Sequence, residues 1–234
     1  MTNIEEKLHN LQQHIRRLAM NHGRNPAHIS LLAVSKTFAA DHVRQAYAAG
    51  QRAFGENYVE EALDKINTLG DLDIEWHFIG SMQSNKTRKI AENFAWAHTV
   101  ASEKIAQRLN QQRPASLPPL NICIQVNIDN EAGKSGIAAE QAIELASQIN
   151  VLPNLKLRGI MGIPKKTADY EKQRKSFHAL AQVFMQLDNA GIVVDTLSMG
   201  MSADMLAAIT EGATIVRIGS AIFGQRSNRQ AGQP

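Results

Sequence analysis

The sequence has little cysteine and no long apolar stretch, and both shortages narrow the class of protein. Its single cysteine, Cys123, lies in an apolar run at residues 121–126. One cysteine excludes an intramolecular disulfide. Its apolar neighbours predict a buried, unreactive thiol, which fits a protein of the reducing cytoplasm. No window approaches the roughly 20 apolar residues of a membrane-spanning helix, and residues 1–6 are too polar to begin a signal peptide.

Motifs for several common chemistries are also absent. The eight histidines show no metal-ligand spacing and there is no cysteine–histidine cluster, so no metal site is predicted. The sequence contains neither a Walker A loop nor a Gly-x-Gly-x-x-Gly fingerprint. The formal net charge of +3 is compatible with a small anionic ligand, but it is too small to indicate a nucleic-acid partner.

Apolar residues, which make up 44% of the chain, alternate between strand-like and helix-like patterns. A leading helix is predicted over residues 3–22, because its apolar residues recur at intervals of three and four. Short apolar runs typical of buried parallel strands occur at 29–35, 52–54, 75–79, 95–100, 120–126, 156–160, 194–198 and 213–218. Helical patterns between and after them occupy 40–49, 59–66, 84–93, 102–112, 138–150, 170–188 and 202–210.

Eight strands that alternate with helices predict an α/β protein with a single (β/α)8 TIM-type barrel and an extra N-terminal helix. Right-handed βαβ crossovers produce a parallel sheet. Eight such units in a chain of this length favour a closed barrel over the alternative, an open doubly wound sheet. We expect the barrel domain to span residues 1–226 and residues 227–234 to form a polar C-terminal tail.

Lys36 follows the first predicted strand, at the end of the barrel where ligands bind in this class of fold. A lysine in that position is most often a solvated surface charge. A partly desolvated lysine instead has a lowered pKa, becomes nucleophilic and can form a Schiff base with an aldehyde. Position alone leaves both interpretations of Lys36 open.

Small residues follow the seventh and eighth strands. Residues 198–202 lead into a helix predicted to begin near Ala203, and Gly219 and Ser220 follow the eighth strand. Barrels often bind phosphate with these two loops and a helix N-terminus, because small residues let backbone N–H groups approach the anion. The alternative interpretation makes Ser202 an N-cap and the glycines ordinary turn residues.

Arg217 lies inside an apolar strand, where a charge is costly unless it is paired. It is therefore either part of a structural ion pair or in contact with a ligand. A guanidinium only donates hydrogen bonds. Facing a pyridine nitrogen, Arg217 would keep that nitrogen unprotonated and the ring a weaker electron sink. His77, between apolar neighbours, is more often a core histidine than a ligand contact.

Several motifs together resemble one family, the pyridoxal-phosphate homeostasis proteins (the YggS/PROSC family). The motifs are AVSKT at 33–37, FGENY at 54–58, WHFIG at 76–80, QSNK at 83–86, LSMGMS at 197–202 and VRIGSAIFG at 216–224. The resemblance covers essentially the whole chain, in order. It implies a barrel like the N-terminal domain of alanine racemase, a fold type III arrangement for pyridoxal 5′-phosphate (PLP).

The resemblance also implies roles for individual residues toward PLP as cofactor. Lys36 would form the Schiff base and Arg217 would lie near the pyridine nitrogen. The phosphate would lie among Ser198, Ser202, Gly219 and Ser220, although family members often have threonine in place of Ser220. The remaining residues expected to line the pocket are Asn57, His77 and Met199.

The function implied is PLP homeostasis, with an indirect effect on amino- and keto-acid metabolism, and with no catalysis or only weak activity. The first alternative is a PLP-dependent amino-acid racemase, which needs acid/base groups on both faces of the substrate. The racemase family supplies the second group from another domain, which we do not expect here because few residues follow the eighth predicted strand. The second alternative is a sugar-phosphate enzyme that uses Lys36 for a Schiff base and binds no chromophore.

The expected partners follow from the same resemblance. PLP itself is the expected ligand, and PLP-dependent apoenzymes are candidate recipients of the cofactor. Neither nucleic acid nor a membrane is an expected partner. We expect a monomeric, cytoplasmic protein.

Overall fold

The apolar runs of the sequence form eight parallel strands that close into a barrel in chain order. The computed structural model describes residues 3–225. The strands are β1 (Ser30–Val34), β2 (Ala53–Glu56), β3 (Glu75–Phe78), β4 (Trp96–Val100), β5 (Leu120–Val126), β6 (Leu155–Gly162), β7 (Thr196–Ser198) and β8 (Ile215–Ile218). The predicted TIM-type barrel is therefore confirmed, and the open sheet is excluded.

Helices surround the barrel and cover its outer face. They are α1 (Ile4–Asn21), α2 (Ala40–Ala48), α3 (Val59–Thr68), α4 (Thr87–Asn93), α5 (Glu103–Gln112), α6 (Ala142–Asn150), α7 (Tyr170–Asn189), α8 (Met205–Thr210) and α9 (Ser220–Phe223). The extra helix α1 begins where the Asn3 side chain accepts a hydrogen bond from the Glu5 N–H. It packs against α9, α2 and α8, and so covers the barrel where the last strand meets the first.

The pairing of β1 with β8 brings together two predicted parts of the site. Ser30 pairs with Ile215, and Ala33 pairs with Ile218. Because the strands are parallel, the residues that follow them emerge at the same end of the barrel. Lys36 and Gly219, which are far apart in the sequence, are thereby placed at one mouth.

The core has two unlike layers. The large apolar layer lies between the strands and the helices and includes Phe54, Phe78 and Val216. Inside the barrel, Trp96, Cys123 and Met161 form a separate small cluster, and buried polar side chains fill the space beside it. Burial raises the pKa of the Cys123 thiol to about 12, which confirms the predicted buried, unreactive cysteine.

The helices near the mouth differ from their predicted bounds. The helix predicted to begin near Ala203 begins at Met205. The residues before it instead form a turn, in which the Met201 N–H donates to Asp204 Oδ1 at 2.6 Å. The short helix α9 directly after β8 was not predicted, because four residues are too few to show a helical period.

Two further predictions concern the chain as a whole. Among residues 3–225, no helix combines the length and apolar character needed to cross a membrane. The predicted polar tail, residues 227–234, lies outside the described residues, as does the last residue of the predicted barrel domain.

Candidate functional site

Lys36 follows β1 in a turn that is fixed on both sides. Ser35 is buried, and its Oγ donates a hydrogen bond of 2.6 Å to Glu56 Oε1. The Thr37 N–H donates to Glu61 Oε1 at 2.5 Å. Thr37 has a φ of 68°, a left-handed conformation that few non-glycine residues adopt. These contacts hold the backbone of Lys36 in one orientation at the barrel mouth.

A buried ion pair lies directly behind this turn. Lys65 Nζ, from α3, donates to Glu56 Oε1 and Glu61 Oε1, both at 2.7 Å, and to the Ser35 carbonyl at 2.8 Å. Burial raises the pKa of the Glu56 carboxyl, and the charge of Lys65 opposes that rise. Neither Lys65 nor Glu56 was identified from the sequence. A signal existed, since Lys65 occupies the buried face of α3 three residues after Ala62.

A cavity of about 300 Å³ opens beside Lys36 at the C-terminal end of the strands. Its wall is partly apolar, with contributions from Val34, Ile79 and Met161. Six of the nine site residues predicted from the sequence line it together: Lys36, Asn57, Ser202, Arg217, Gly219 and Ser220. The fold therefore gathers into one cavity side chains from the two ends of the chain.

The other three predicted residues, His77, Ser198 and Met199, do not line this cavity. The Met199 side chain is fully buried in the outer core. Ser198 lies behind the cavity wall, where its Oγ accepts a hydrogen bond from Arg217. His77 is enclosed in the barrel and hydrogen-bonded to two neighbouring side chains. Its surroundings match those of a satisfied core histidine.

Arg217 supplies a buried positive charge to the cavity. Its Nη1 donates to Ser198 Oγ at 2.9 Å, and its Nη2 donates to the Gly162 carbonyl at 3.1 Å. Both acceptors are neutral. No carboxylate of residues 3–225 lies within 4.0 Å of the Arg217 guanidinium, the distance that defines an ion pair. Burial lowers the pKa of Arg217 to about 10 against the opposing charge of Asp204, so the guanidinium stays protonated near neutral pH. The structural ion pair that one interpretation required is not formed.

Two segments of small residues border the same cavity. Asp204 occupies the N-cap position of α8, so the interpretation of Ser202 as the cap of that helix is wrong. Ser220 begins α9, and the first N–H groups of a helix have no acceptor within the helix. The segments therefore present hydroxyls and backbone N–H groups that can bind an anion.

Asn57 carries an unsatisfied polar atom at this site. Its side-chain oxygen is buried and has no hydrogen-bond partner among the described residues, although the residue lines the cavity. Buried polar atoms are nearly always hydrogen-bonded, and a group bound in the cavity can supply the bond that this oxygen lacks. Together with the Lys36 amine and the Arg217 guanidinium, this arrangement can bind a small anionic ligand.

Known proteins are similar to this chain in sequence and in fold. The family model described as "Alanine racemase, N-terminal domain" matches residues 7–227. This chain belongs to that family. Within the family, the pyridoxal phosphate homeostasis protein of Pseudomonas aeruginosa is 55% identical over 226 residues, which are 97% of each chain. The protein of the same name from Escherichia coli is 50% identical over 229 residues, covering 97% of this chain and 98% of that one. The resemblance seen in the sequence is thereby confirmed.

Solved structures of the family give the same picture. PipY of Synechococcus elongatus, in its structure with PLP bound, is 35% identical, with a TM-score of 0.78, and the match covers 90% of this chain and 99% of PipY. An alanine racemase from Clostridium difficile also has a TM-score of 0.78, at 16% identity, over 96% of this chain and 57% of the racemase. The racemase comparison shows the fold alone, and it confirms the predicted racemase-like barrel.

Proposed function

We propose that this chain binds PLP in the cavity at the barrel mouth, joins its aldehyde to Lys36 as a Schiff base, and serves PLP homeostasis rather than substrate turnover. One observation carries the proposal. A lysine amine, a buried arginine and two segments rich in small residues line a single cavity of about 300 Å³. The relatives support it, because they are named for PLP homeostasis and PipY is known with PLP bound.

The phosphate of PLP fits the small-residue segments. Ser202, from the turn before α8, and Ser220, the first residue of α9, line the cavity together with Gly219, which has no side chain. A Cβ at Gly219 would lie 2.9 Å from the Val34 carbonyl oxygen, so only glycine allows β1 and the start of α9 to approach this closely. The N–H groups at the start of α9 add donors for the phosphate oxygens.

Arg217 and Asn57, which line the same cavity, would contact the pyridine ring. Arg217 would donate to the ring nitrogen and keep it unprotonated, because a guanidinium has no proton to release near neutral pH. PLP supplies an aldehyde and an electron-withdrawing ring, and an unprotonated ring withdraws electrons less strongly. The buried Asn57 amide takes its missing hydrogen bond from a ring substituent. Ser198 acts through Arg217, whereas His77 and Met199 do not line the cavity.

The cavity is poorly equipped for racemisation, the principal alternative. That reaction needs a proton donor or acceptor on each face of the substrate carbon. Of the described residues that line the cavity, Lys36 alone carries an amine that could serve as an acid/base group, since the others have apolar, amide, hydroxyl or guanidinium side chains or none. Tyr58 follows β2, and its phenol is the tyrosine group that could reach the mouth as the second acid/base group, but it is 57% exposed and does not line the cavity.

A titration of the full chain with PLP tests the proposed function. We expect saturable one-to-one uptake, with an absorption band distinct from that of free PLP, and no conversion of L-alanine to D-alanine beyond the buffer control. A colourless protein that takes up no PLP contradicts the proposal and leaves the sugar-phosphate alternative. Racemisation at ordinary enzyme rates, on the order of 1 s⁻¹ or faster, contradicts the homeostasis role.

Gly219→Ala tests the phosphate site. The new methyl group must push against the Val34 carbonyl, so we expect a stability loss of about 1–3 kcal/mol and PLP affinity reduced about tenfold. Thermal unfolding and a PLP titration measure the two effects. The matched control is Gly70→Ala. The nearest atom to the added Cβ is 3.6 Å away there, and Gly70 does not line the cavity. Equal PLP affinity in both variants contradicts this placement of the phosphate.

The wider role extends the same proposal. The chain holds PLP reversibly in the cytoplasm as a monomer, buffers the free aldehyde, and passes it to PLP-dependent apoenzymes, with indirect effects on amino- and keto-acid pools. A Schiff base would support such a role, because its formation is reversible. An incoming amine would displace the Lys36 amine and carry PLP away as a new imine, and hydrolysis by water would return the free aldehyde and the Lys36 amine.

A further inference from the structure

A column of polar side chains crosses the interior of the barrel. Glu75 Oε1 lies 2.8 Å from His77 Nε2, and His77 Nδ1 lies 2.9 Å from His98 Nε2. His98 Nδ1 lies 2.9 Å from Ser198 Oγ, which in turn lies 2.9 Å from Arg217 Nη1. All but Glu75 are buried. Branched apolar side chains usually fill the interior of such barrels, so a continuous column of polar side chains is unusual in this fold.

The two ends of the column lie at opposite ends of the barrel. Glu75 is the first residue of β3, and its side chain is 49% exposed. Arg217 lines the cavity at the other end. Between them, the His77 ring stacks on Trp96, with 5.1 Å between centroids and 9° between planes, and Arg158 lies over the same indole. The stacking fixes the plane of the His77 ring.

The direction of every hydrogen bond in the column follows from its two ends. An ionised carboxylate only accepts, and a guanidinium only donates. The hydrogen bond from His77 lowers the pKa of Glu75, and burial lowers the pKa of both histidines, so both rings are neutral beside an ionised Glu75. A neutral imidazole has one donor and one acceptor. His77 Nε2–H must therefore donate to Glu75, and His98 Nε2–H to His77 Nδ1.

The count of donors and acceptors also fixes the hydrogen bonds in the part of the column nearest Arg217. Since its Nε2 carries the proton, His98 Nδ1 accepts, and the Ser198 hydroxyl must donate to it. The lone pairs of that hydroxyl are thereby turned toward Arg217 Nη1, which donates to them. Each ring nitrogen makes one of these bonds, so neutral rings and an ionised Glu75 together allow this direction alone.

We propose that Glu75, His77 and His98 are positioning residues, which act through Ser198 to hold the Arg217 guanidinium in the orientation that the cofactor site uses. The effect on the cofactor rests on the proposed function, because it requires Arg217 to face the pyridine ring. The hydrogen bonds of the column do not depend on the proposed function. They give Arg217 an oriented acceptor at one end of the column and place the negative charge of Glu75 at the other end.

Nitrogen-15 NMR of the histidine rings in the full chain reads the column directly. We expect His77 and His98 both to be neutral, with the proton on Nε2, in the absence and in the presence of PLP. A proton on Nδ1 of His98, or a charged ring in either residue, overturns the proposal. Either result would require the Ser198 hydroxyl to turn its donor away from His98.

Glu75→Gln is the first test variant, because the Glu75 side chain is half-exposed and its replacement should not disturb the fold. The amide can donate as well as accept, so the direction is no longer imposed. We expect both rings to become mixtures of the two neutral tautomers and PLP affinity to fall about threefold. Unchanged ring signals in this variant overturn the proposal.

His98→Leu interrupts the column without touching the cavity. We expect PLP affinity to fall on the order of tenfold and the absorption maximum of bound PLP to shift, because Arg217 loses its fixed orientation. The control is Ile122→Val, a truncation in the apolar layer outside the barrel, which should move neither the absorption maximum nor the histidine signals. If His98→Leu and Ile122→Val have the same absorption maximum, His98 is only structural and the proposal fails.

These outcomes separate the two proposals. A wild-type chain that binds no PLP contradicts the proposed function, and the ring tautomers still decide whether the column is oriented. A chain that binds PLP normally but has the reversed tautomers contradicts the positioning role alone.

Discussion

Replacing Lys36 with alanine is expected to abolish covalent attachment of PLP and to weaken its binding at least about 100-fold, or roughly 2.7 kcal/mol. The variant loses the Schiff base but keeps the phosphate donors and Arg217, so a weak noncovalent complex remains. Equilibrium dialysis against PLP measures the affinity, and the absorption spectrum shows whether an imine forms.

The control for this variant is Lys104→Ala, which removes an exposed lysine from α5. It should bind PLP as the wild type does. If Lys36→Ala keeps wild-type affinity and an imine band, another amine holds the cofactor. The cavity would then be a phosphate site without the covalent role proposed for it.

Lys65→Met is expected to lower the free energy of unfolding by about 3–5 kcal/mol, because it leaves Glu56 buried without its cation. Chemical denaturation measures this loss, which corresponds to a fall in melting temperature on the order of 10 °C. The turn that carries Lys36 also loses a contact, since Lys65 binds the Ser35 carbonyl. PLP affinity should therefore fall as well.

The same variant should show a characteristic pH dependence. Burial already raises the pKa of Glu56 above its ordinary value, and removal of the opposing charge raises it further. A carboxyl with a raised folded-state pKa contributes stability that is complete below its unfolded pKa and is lost as the pH rises through the folded pKa. The deficit of Lys65→Met should thus be larger at about pH 7.5 than at about pH 5.

A second substitution provides the control for that effect. Glu56→Gln in the Lys65→Met background removes the buried charge, so part of the stability should return and the pH dependence should disappear. A Lys65→Met chain that is as stable as the wild type at both pH values would show that the buried pair does not stabilise this turn.

The barrel could be predicted because buried parallel strands and amphipathic helices have different apolar periods. The run ending at Val34 and the helical spacing in α1 are clear in the sequence. The residue at which α8 begins could not be predicted from the apolar period. It depends on whether Asp204 accepts a hydrogen bond within a turn, which is a choice between local contacts of similar energy.

The cavity was predictable where residues follow strands. Lys36, Gly219 and Ser220 stand directly after β1 and β8, so the barrel rule places them at one mouth. The residues behind the site were harder to find. His98 lies in a strand whose other side chains are also buried, and its role depends on a partner a hundred positions away in the sequence. Lys65 was visible only as a charge on a buried helix face.

The most direct test of the account is borohydride reduction of the PLP-treated chain, followed by peptide mass mapping. Reduction converts a Schiff base into a stable secondary amine, so the adduct stays on the residue that held the aldehyde. The account predicts one pyridoxyl group, on the peptide that contains Lys36. A pyridoxyl group mainly on other lysines, or no adduct on a chain that binds PLP, would contradict it.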